Sequence, residues 1–94
     1  MSTPYFRYKP SIDQPVETQG IIYWTSRNYR RLPEEKQRMI RALCESSGGE
    51  YAEAVLEFVT TDKGATAISM RHNMSRETLD RAVKRYYEAF PMEI

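Results

Sequence analysis

Hydrophobic positions recur at helical spacing along most of the chain after residue 32. The clearest run is 50–64, where apolar side chains recur at i, i+3, i+4, i+7 and i+8 and predict an amphipathic helix. The apolar stripe of this helix consists of Tyr51, Ala54, Val55, Phe58 and Val59. On the opposite face, Glu50, Glu53 and Glu57 predict an acidic surface that is exposed to solvent.

A second helix is predicted to precede this one and to start at Pro33. Proline suits a first helical position, and Glu34 and Glu35 suit the positive end of the helix dipole. The apolar positions of the helix are Met39, Ile40, Leu43 and Cys44, and Gly48 and Gly49 predict its end. Cys44 is the single cysteine, which excludes a disulfide within the chain and favours a small core residue over a nucleophile.

Two more helices are predicted in the last third of the chain, joined by a tight turn. Residues 65–72 form a short helix, and Asn73 follows as a residue that tolerates the left-handed conformation. Ser75 is a good N-cap for the next helix. The apolar stripe of that last helix is Leu79, Ala82, Val83, Tyr86 and Phe90, and Pro91 ends it.

The first 31 residues follow a different pattern. Pro4, Pro10 and Pro15 restrict the residues before them to extended geometry, so we predict a partly ordered N-terminal arm over 1–31 that is rich in aromatic and basic side chains. Within it, "IIYWTSRNYRR" at 21–31 is compatible with a short strand or with the first turns of a helix.

These elements predict an all-α fold for this chain of 94 residues. We expect the arm at 1–31 and one small helical domain at 32–94, with a helix-turn-helix at about 65–90. The net charge is only +1, but it is unevenly spread. Residues 1–31 carry five Lys or Arg against two acids, and residues 32–64 carry four against seven. Such asymmetry is typical of chains with separate partner surfaces.

The spacing of 65–83 fits a DNA-binding helix-turn-helix. Ile68 and Met74 are predicted to fill the core, Ser69 is small enough for the helix crossing, and Asn73 stands where Gly is common. His72 departs from the pattern, because an apolar residue usually closes the first helix, and we expect Met70 to take part of that role. The alternative is a helical hairpin without DNA binding.

If the last helix enters a major groove, its first turn meets base edges. The predicted base contacts are Arg76, Glu77, Thr78 and Arg81, and the predicted backbone contacts are Arg71, Ser75, Lys84 and Arg85. The alternative for these charges is a solvated helix face with ion pairs such as Glu77 to Arg81.

The stretch "EYAEAVLEFVTTDKGATAISMRHNMSRETLDRAVKRYYEAF" resembles the DNA-binding half of the PapB-type regulators of adhesin (fimbrial) biosynthesis. Its ending, "SRETLDRAVKRYYEAF", is also similar to the plasmid KorA-type (TrfB) repressors. The resemblance covers about residues 35–90. It implies a bacterial or mobile-element transcription regulator that binds double-stranded DNA and oligomerises on it.

The sequence favours a binding protein over an enzyme. One His and one Cys are too few for the usual metal sites, and no Gly-rich phosphate loop is present, so we expect no cofactor, no metal and no catalytic residues. A homodimer or larger homo-oligomer in the cytoplasm, without a membrane partner, is expected.

The sequence is also compatible with two other functions. The first is a small protein-interaction module that inhibits or adapts a host protein. The second is single-stranded nucleic-acid binding through the arm, where "YFRYK" and "YWTSRNYRR" interleave aromatic and basic residues.

Overall fold

Five α-helices make up most of the chain in a computed structural model, which describes residues 9, 10 and 12–91. They are α1 (Val16–Arg27), α2 (Glu34–Gly48), α3 (Ala52–Thr60), α4 (Ala65–Arg71) and α5 (Arg76–Ala89). Short 3-10 turns at Tyr29–Arg31 and Gly49–Tyr51 join α1 to α2 and α2 to α3. The described residues contain no β-strand, so the predicted all-α fold class is confirmed.

Helix α3 lies at the centre of the fold and packs against α1, α2, α4 and α5. Helix α2 also packs against α5, and α4 packs against both α3 and α5. The apolar stripes of these helices meet in one core of buried side chains, whose members from α2 to α5 include Ile40, Cys44, Ala54, Val55, Val59, Ile68, Leu79, Ala82, Val83, Tyr86 and Tyr87. The predicted stripe of the last helix is confirmed, and Phe90 continues it just beyond α5.

Cys44 belongs to this core, as predicted. Its side chain is buried, and the loss of solvent raises the pKa of the thiol to about 12, with a smaller contribution from the nearby charge of Glu45. The thiol therefore stays protonated near neutral pH, which does not suit a nucleophile.

The connection between α2 and α3 depends on two glycines. Gly49 has a φ of 57°, a left-handed conformation that costs glycine little. A Cβ atom on Gly48 would lie 2.9 Å from Cγ2 of Val55, so Gly48 allows the end of α2 to approach α3 closely. Pro33 is the N-cap of α2, so the helix begins one residue later than its predicted start.

The expectation of an extended arm is wrong for residues 16–27, which form α1. Gln19, Ile22 and Ser26 lie on one face of α1 and are buried. The hydroxyl of Ser26 is 2.7 Å from the hydroxyl of Tyr86, so a hydrogen bond joins α1 to α5 inside the protein. The strand alternative for 21–31 is also wrong, since α1 runs to Arg27 and a 3-10 turn follows. Residues 1–8 and 11 of the predicted arm lie outside the described residues.

The buried side-chain amide of Gln19 holds the segment that precedes α1. The Gln19 side chain accepts a hydrogen bond from the Lys9 amide (2.8 Å) and donates to the carbonyls of Lys9 (3.0 Å) and Ile12 (3.3 Å). Gln14 donates to the carbonyl of Tyr87 at 2.9 Å, and the side chain of Ile12 is buried in the core. These contacts fix the described part of this segment against α1 and α5.

Candidate nucleic-acid interface

Helices α4 and α5 are joined by a tight four-residue turn over 72–75. Asn73 has a φ of 54°, which confirms the left-handed conformation predicted for it. The amide of Asn73 donates to the carbonyl of Met70 (3.2 Å), and the amide of Met74 donates to the carbonyl of Ser69 (2.9 Å). This pair of bonds is the Schellman arrangement, in which a left-handed residue satisfies the last carbonyls of a helix. The direction of the chain after α4 is thereby fixed.

Ser75 caps α5, as predicted. Its Oγ accepts a hydrogen bond from the amide of Thr78 at 3.0 Å and lies 2.7 Å from the Thr78 hydroxyl. The backbone of Ser75 is extended, which is the usual conformation of an N-cap. The start of α5 is therefore defined by the turn on one side and by this cap on the other.

The residues predicted to pack around the turn do so, with one exception. Ile68, Ser69 and Leu79 are buried, and Met74 packs against the core while partly buried. Met70, by contrast, has 73% of its surface exposed, so the expectation that it helps to close α4 is wrong. His72 is half-buried instead, because its Nε2 lies 3.0 Å from Oε1 of Glu57.

Three of the four predicted base-contact residues are exposed on the outer face of α5: Arg76, Glu77 and Arg81. The fourth, Thr78, is half-buried, since its hydroxyl contacts the Ser75 cap. Arg76 Nη1 also donates to the Thr66 hydroxyl of α4 at 3.1 Å.

The exposed arginines of α5 form ion pairs within the helix. Arg76 Nε lies 3.5 Å from Asp80, and Arg81 lies 3.2 Å from Glu77, which is the pair expected for a solvated face. Exposed pairs of this spacing contribute only about 0.3–0.5 kcal/mol. They therefore do not prevent either guanidinium from binding a stronger partner.

The four predicted backbone-contact residues have different surroundings. Lys84 is exposed and forms no ion pair with any residue that the structure describes. Arg85 Nε donates to the carbonyl of Ser47 at 2.8 Å, so it stabilises the end of α2. Arg71 pairs with Glu57, and Ser75 is the cap of α5. Among these four side chains, Lys84 thus forms no ion pair or hydrogen bond with a described residue.

Glu57 is a residue whose position sequence reasoning missed. It was expected on a solvated acidic face, but its side chain is only 11% exposed and contacts Lys63, Arg71 and His72. Hydrogen bonds from His72, Lys63 and Arg71 together lower the pKa of the carboxyl to about 2 against the opposing effect of burial, and the bond from His72 has the largest effect. Glu57 therefore ties α3 to the end of α4 and to the turn before α5.

We expect the stabilising effect of Glu57 to disappear in acid. Because its pKa is lower in the folded chain than the ordinary 4.5, its contribution is complete above pH 4.5 and is lost as the pH falls toward 2. Glu57→Gln should lower the melting temperature at pH 7 and make little difference near pH 2. The control is Glu53→Gln, on an exposed residue of the same helix. This role would be contradicted if the melting temperatures of Glu57→Gln and the unchanged protein differed as much in acid as at pH 7.

No protein-family model, curated protein or solved structure matches this chain. The resemblance to PapB-type and KorA-type regulators therefore stays a prediction. Within the described ranges, no group of three His, Cys, Asp or Glu side chains is placed to hold a metal ion. None of the helices described is both long and apolar enough to cross a membrane.

Proposed function

We propose that the protein is a sequence-specific DNA-binding regulator of transcription and that α4, the turn and α5 act as its helix-turn-helix. The observation that carries the proposal is the pairing of the left-handed Asn73 turn with the Ser75 cap. Together they fix the end of α4 and the start of α5, and the first turn of α5 begins with two exposed side chains, Arg76 and Glu77. That first turn is the part which enters the major groove in proteins with this motif.

The side chains on this exposed turn suit base recognition. A guanidinium can bind O6 and N7 of guanine together, and a carboxylate can accept a hydrogen bond from the amino group of cytosine. Arg76 on this turn and Arg81 on the next turn offer guanidinium groups, and Glu77 offers the carboxylate. In this proposal Lys84, about two turns beyond Arg76 in α5, binds a phosphate. Thr78 contributes less, because its side chain is half-buried and its hydroxyl contacts the Ser75 cap.

We further propose that the protein binds DNA as a homodimer. Helix-turn-helix proteins usually read two half-sites through two-fold symmetry, and the proposed motif occurs once in this chain. Helix α1 exposes Val16 (48%), Ile21 (51%) and Trp24 (45%), and a contact between two copies would cover apolar surface of this kind. The same patch favours a second candidate function, in which α1 binds another protein and the chain has no affinity for DNA.

Titration of the protein into duplex DNA at several salt concentrations tests this proposal. Lys84→Ala should weaken binding to all duplexes about equally and reduce the salt slope by ~1, because one phosphate contact is lost. Arg38→Ala is the control, since Arg38 is exposed on α2 and has no role in the proposed interface.

Two results of that titration and one result of sedimentation would count against the proposal. If the protein shows no salt-dependent binding to duplex DNA, DNA is not its partner and the protein-interaction function is favoured. If the salt slope is the same for Lys84→Ala and Arg38→Ala, Lys84 does not contact a phosphate. Sedimentation that finds one chain per duplex at saturation would remove the dimer.

A further inference from the structure

A cleft of about 530 Å³ opens beside Glu57, and we name it the α2–α3 cleft. It lies between α2, α3 and the 3-10 turn at Tyr29–Arg31, and it reaches the end of α4. Its size falls within the range of 300–1,000 Å³ that is common for small-molecule sites. The lining residues that matter here are Arg30, Arg41, Leu56, Glu57, Lys63 and Arg71.

Two arginines that line the cleft have no acidic partner among the residues that the structure describes. Arg41 donates to the hydroxyl of Tyr29 and forms no ion pair with a described residue. Arg30 is exposed and has no ion pair or hydrogen bond with any described residue. The acids Glu45 and Glu53 also line the cleft, but neither lies within ion-pair distance of these guanidinium groups.

Near the end of α4, two further cations line the cleft beside a single carboxylate, that of Glu57. Lys63 and Arg71 share one oxygen of Glu57, and His72 occupies the other. Cys44, Ala52 and Leu56 contribute apolar surface to the same cleft. The cleft thus combines apolar side chains with four guanidinium or ammonium groups and three carboxylates.

We propose that the α2–α3 cleft binds a small organic anion, in which an apolar body carries a phosphate or carboxylate group. The arginine fork matches both anions in shape and forms two parallel hydrogen bonds with either of them. Arg30 and Arg41 bind the charged group, and the apolar body lies against Leu56 and Ala52. This binding site is separate from the outer face of α5.

An anion in the cleft would also reach the turn before α5. Arg71 ends α4 and His72 begins the turn, and both contact Glu57 at the wall of the cleft. An anion that draws Arg71 or Lys63 away from Glu57 changes the restraint on this turn. This regulatory effect rests on the proposed function, because it would change the affinity of α5 for DNA. Binding of the anion in the cleft does not depend on the proposed function.

Titration of the full, ¹⁵N-labelled chain by NMR at constant ionic strength tests the proposal directly. The probes are phenyl phosphate, phenol and inorganic phosphate, so that the apolar body and the charge are tested together and apart. Phenyl phosphate should shift the amide signals around the cleft and bind about tenfold more tightly than either of the other two. Arg30→Gln and Arg41→Gln should each weaken it about tenfold, whereas Arg38→Gln should leave it unchanged.

Each of three other outcomes would overturn the proposal. The first is phenol binding as tightly as phenyl phosphate, which would make the cleft an apolar site. The second is an equal loss in Arg38→Gln and Arg30→Gln, which would indicate diffuse attraction of anions to the surface. The third is duplex DNA shifting the same cleft signals and excluding phenyl phosphate in direct competition, which would assign the cations to DNA phosphates. If the chain binds phenyl phosphate but not DNA, the proposed function is wrong and the proposal for the cleft stands.

Discussion

Ile22→Ala should destabilise the protein by about 2–5 kcal/mol, and Ile21→Ala should cost less than about 0.5 kcal/mol. The two residues are neighbours in α1 and have the same side chain, so the pair is a matched control. Ile22 is fully buried in the core, whereas Ile21 has 51% of its surface exposed. Urea unfolding of both variants, followed by far-ultraviolet circular dichroism, measures the two free energies of unfolding.

This comparison decides whether α1 is part of the folded unit or an appendage to it. Domains of this size are stable by about 5–15 kcal/mol, so the loss of Ile22 would remove a large share of the total. Tyr86→Phe adds an independent measure, because it removes only the hydroxyl that meets Ser26. Equal and small effects of both isoleucine variants would mean that residues 16–27 do not pack in solution as described.

Apolar periodicity predicts α3 and α5 because each buries the face that is apolar in sequence. Periodicity assigns Val55 and Leu79 to inward faces, the helix-turn-helix pattern assigns Ile68 to the core, and all three side chains are buried. Local chemistry also identified the turn, since Asn73 and Ser75 act through bonds to residues within five positions of them. Such short-range features can be read from sequence without knowledge of the fold.

The sequence leaves strand and helix open for 21–31 and predicts no helix over 16–20, because the apolar pattern of α1 is nearly reversed. Its buried face includes the polar Gln19 and Ser26 beside Ile22, while Ile21 and Trp24 face outward. Gln19 is accommodated by carbonyls of the preceding segment, and Ser26 by Tyr86, 60 residues away. Buried polar groups of this kind are stable only when paired, and the partners become known only with the tertiary structure.

Glu57 was misplaced for a related reason. Its partners Lys63, Arg71 and His72 lie 6, 14 and 15 positions away, which are not the three- and four-residue spacings of a helix face. The fold brings them together because α4 packs on α3. The departure noted at His72 has its explanation here, since Glu57 takes the place of an apolar contact at the end of α4.

The second large effect is expected on DNA recognition by Arg76. Arg76→Ala should cost ~1–3 kcal/mol on a preferred duplex selected from a random pool, and much less on a scrambled duplex of equal composition. The side chain lies on the exposed first turn of α5, and its bonds to Asp80 and Thr66 are at the surface. A guanine in the major groove would offer this guanidinium two acceptors in one plane. Asp80 offers it a single carboxylate oxygen, 3.5 Å from Nε.

The contrast with Lys84→Ala makes the measurement specific. A phosphate contact is lost equally on every sequence, whereas a base contact is lost only where the preferred base is present. The affinity of both variants should be measured on both duplexes at one salt concentration. As a control, thermal unfolding should show that Arg76→Ala changes the free energy of unfolding by no more than about 1 kcal/mol, the upper value for an exposed ion pair. A loss that tracks A·T content would indicate minor-groove docking instead. Equal losses on the preferred and scrambled duplexes for Arg76→Ala would rule out base readout by this residue, because a helix that reads the major groove cannot lose a guanine contact on DNA that lacks the site.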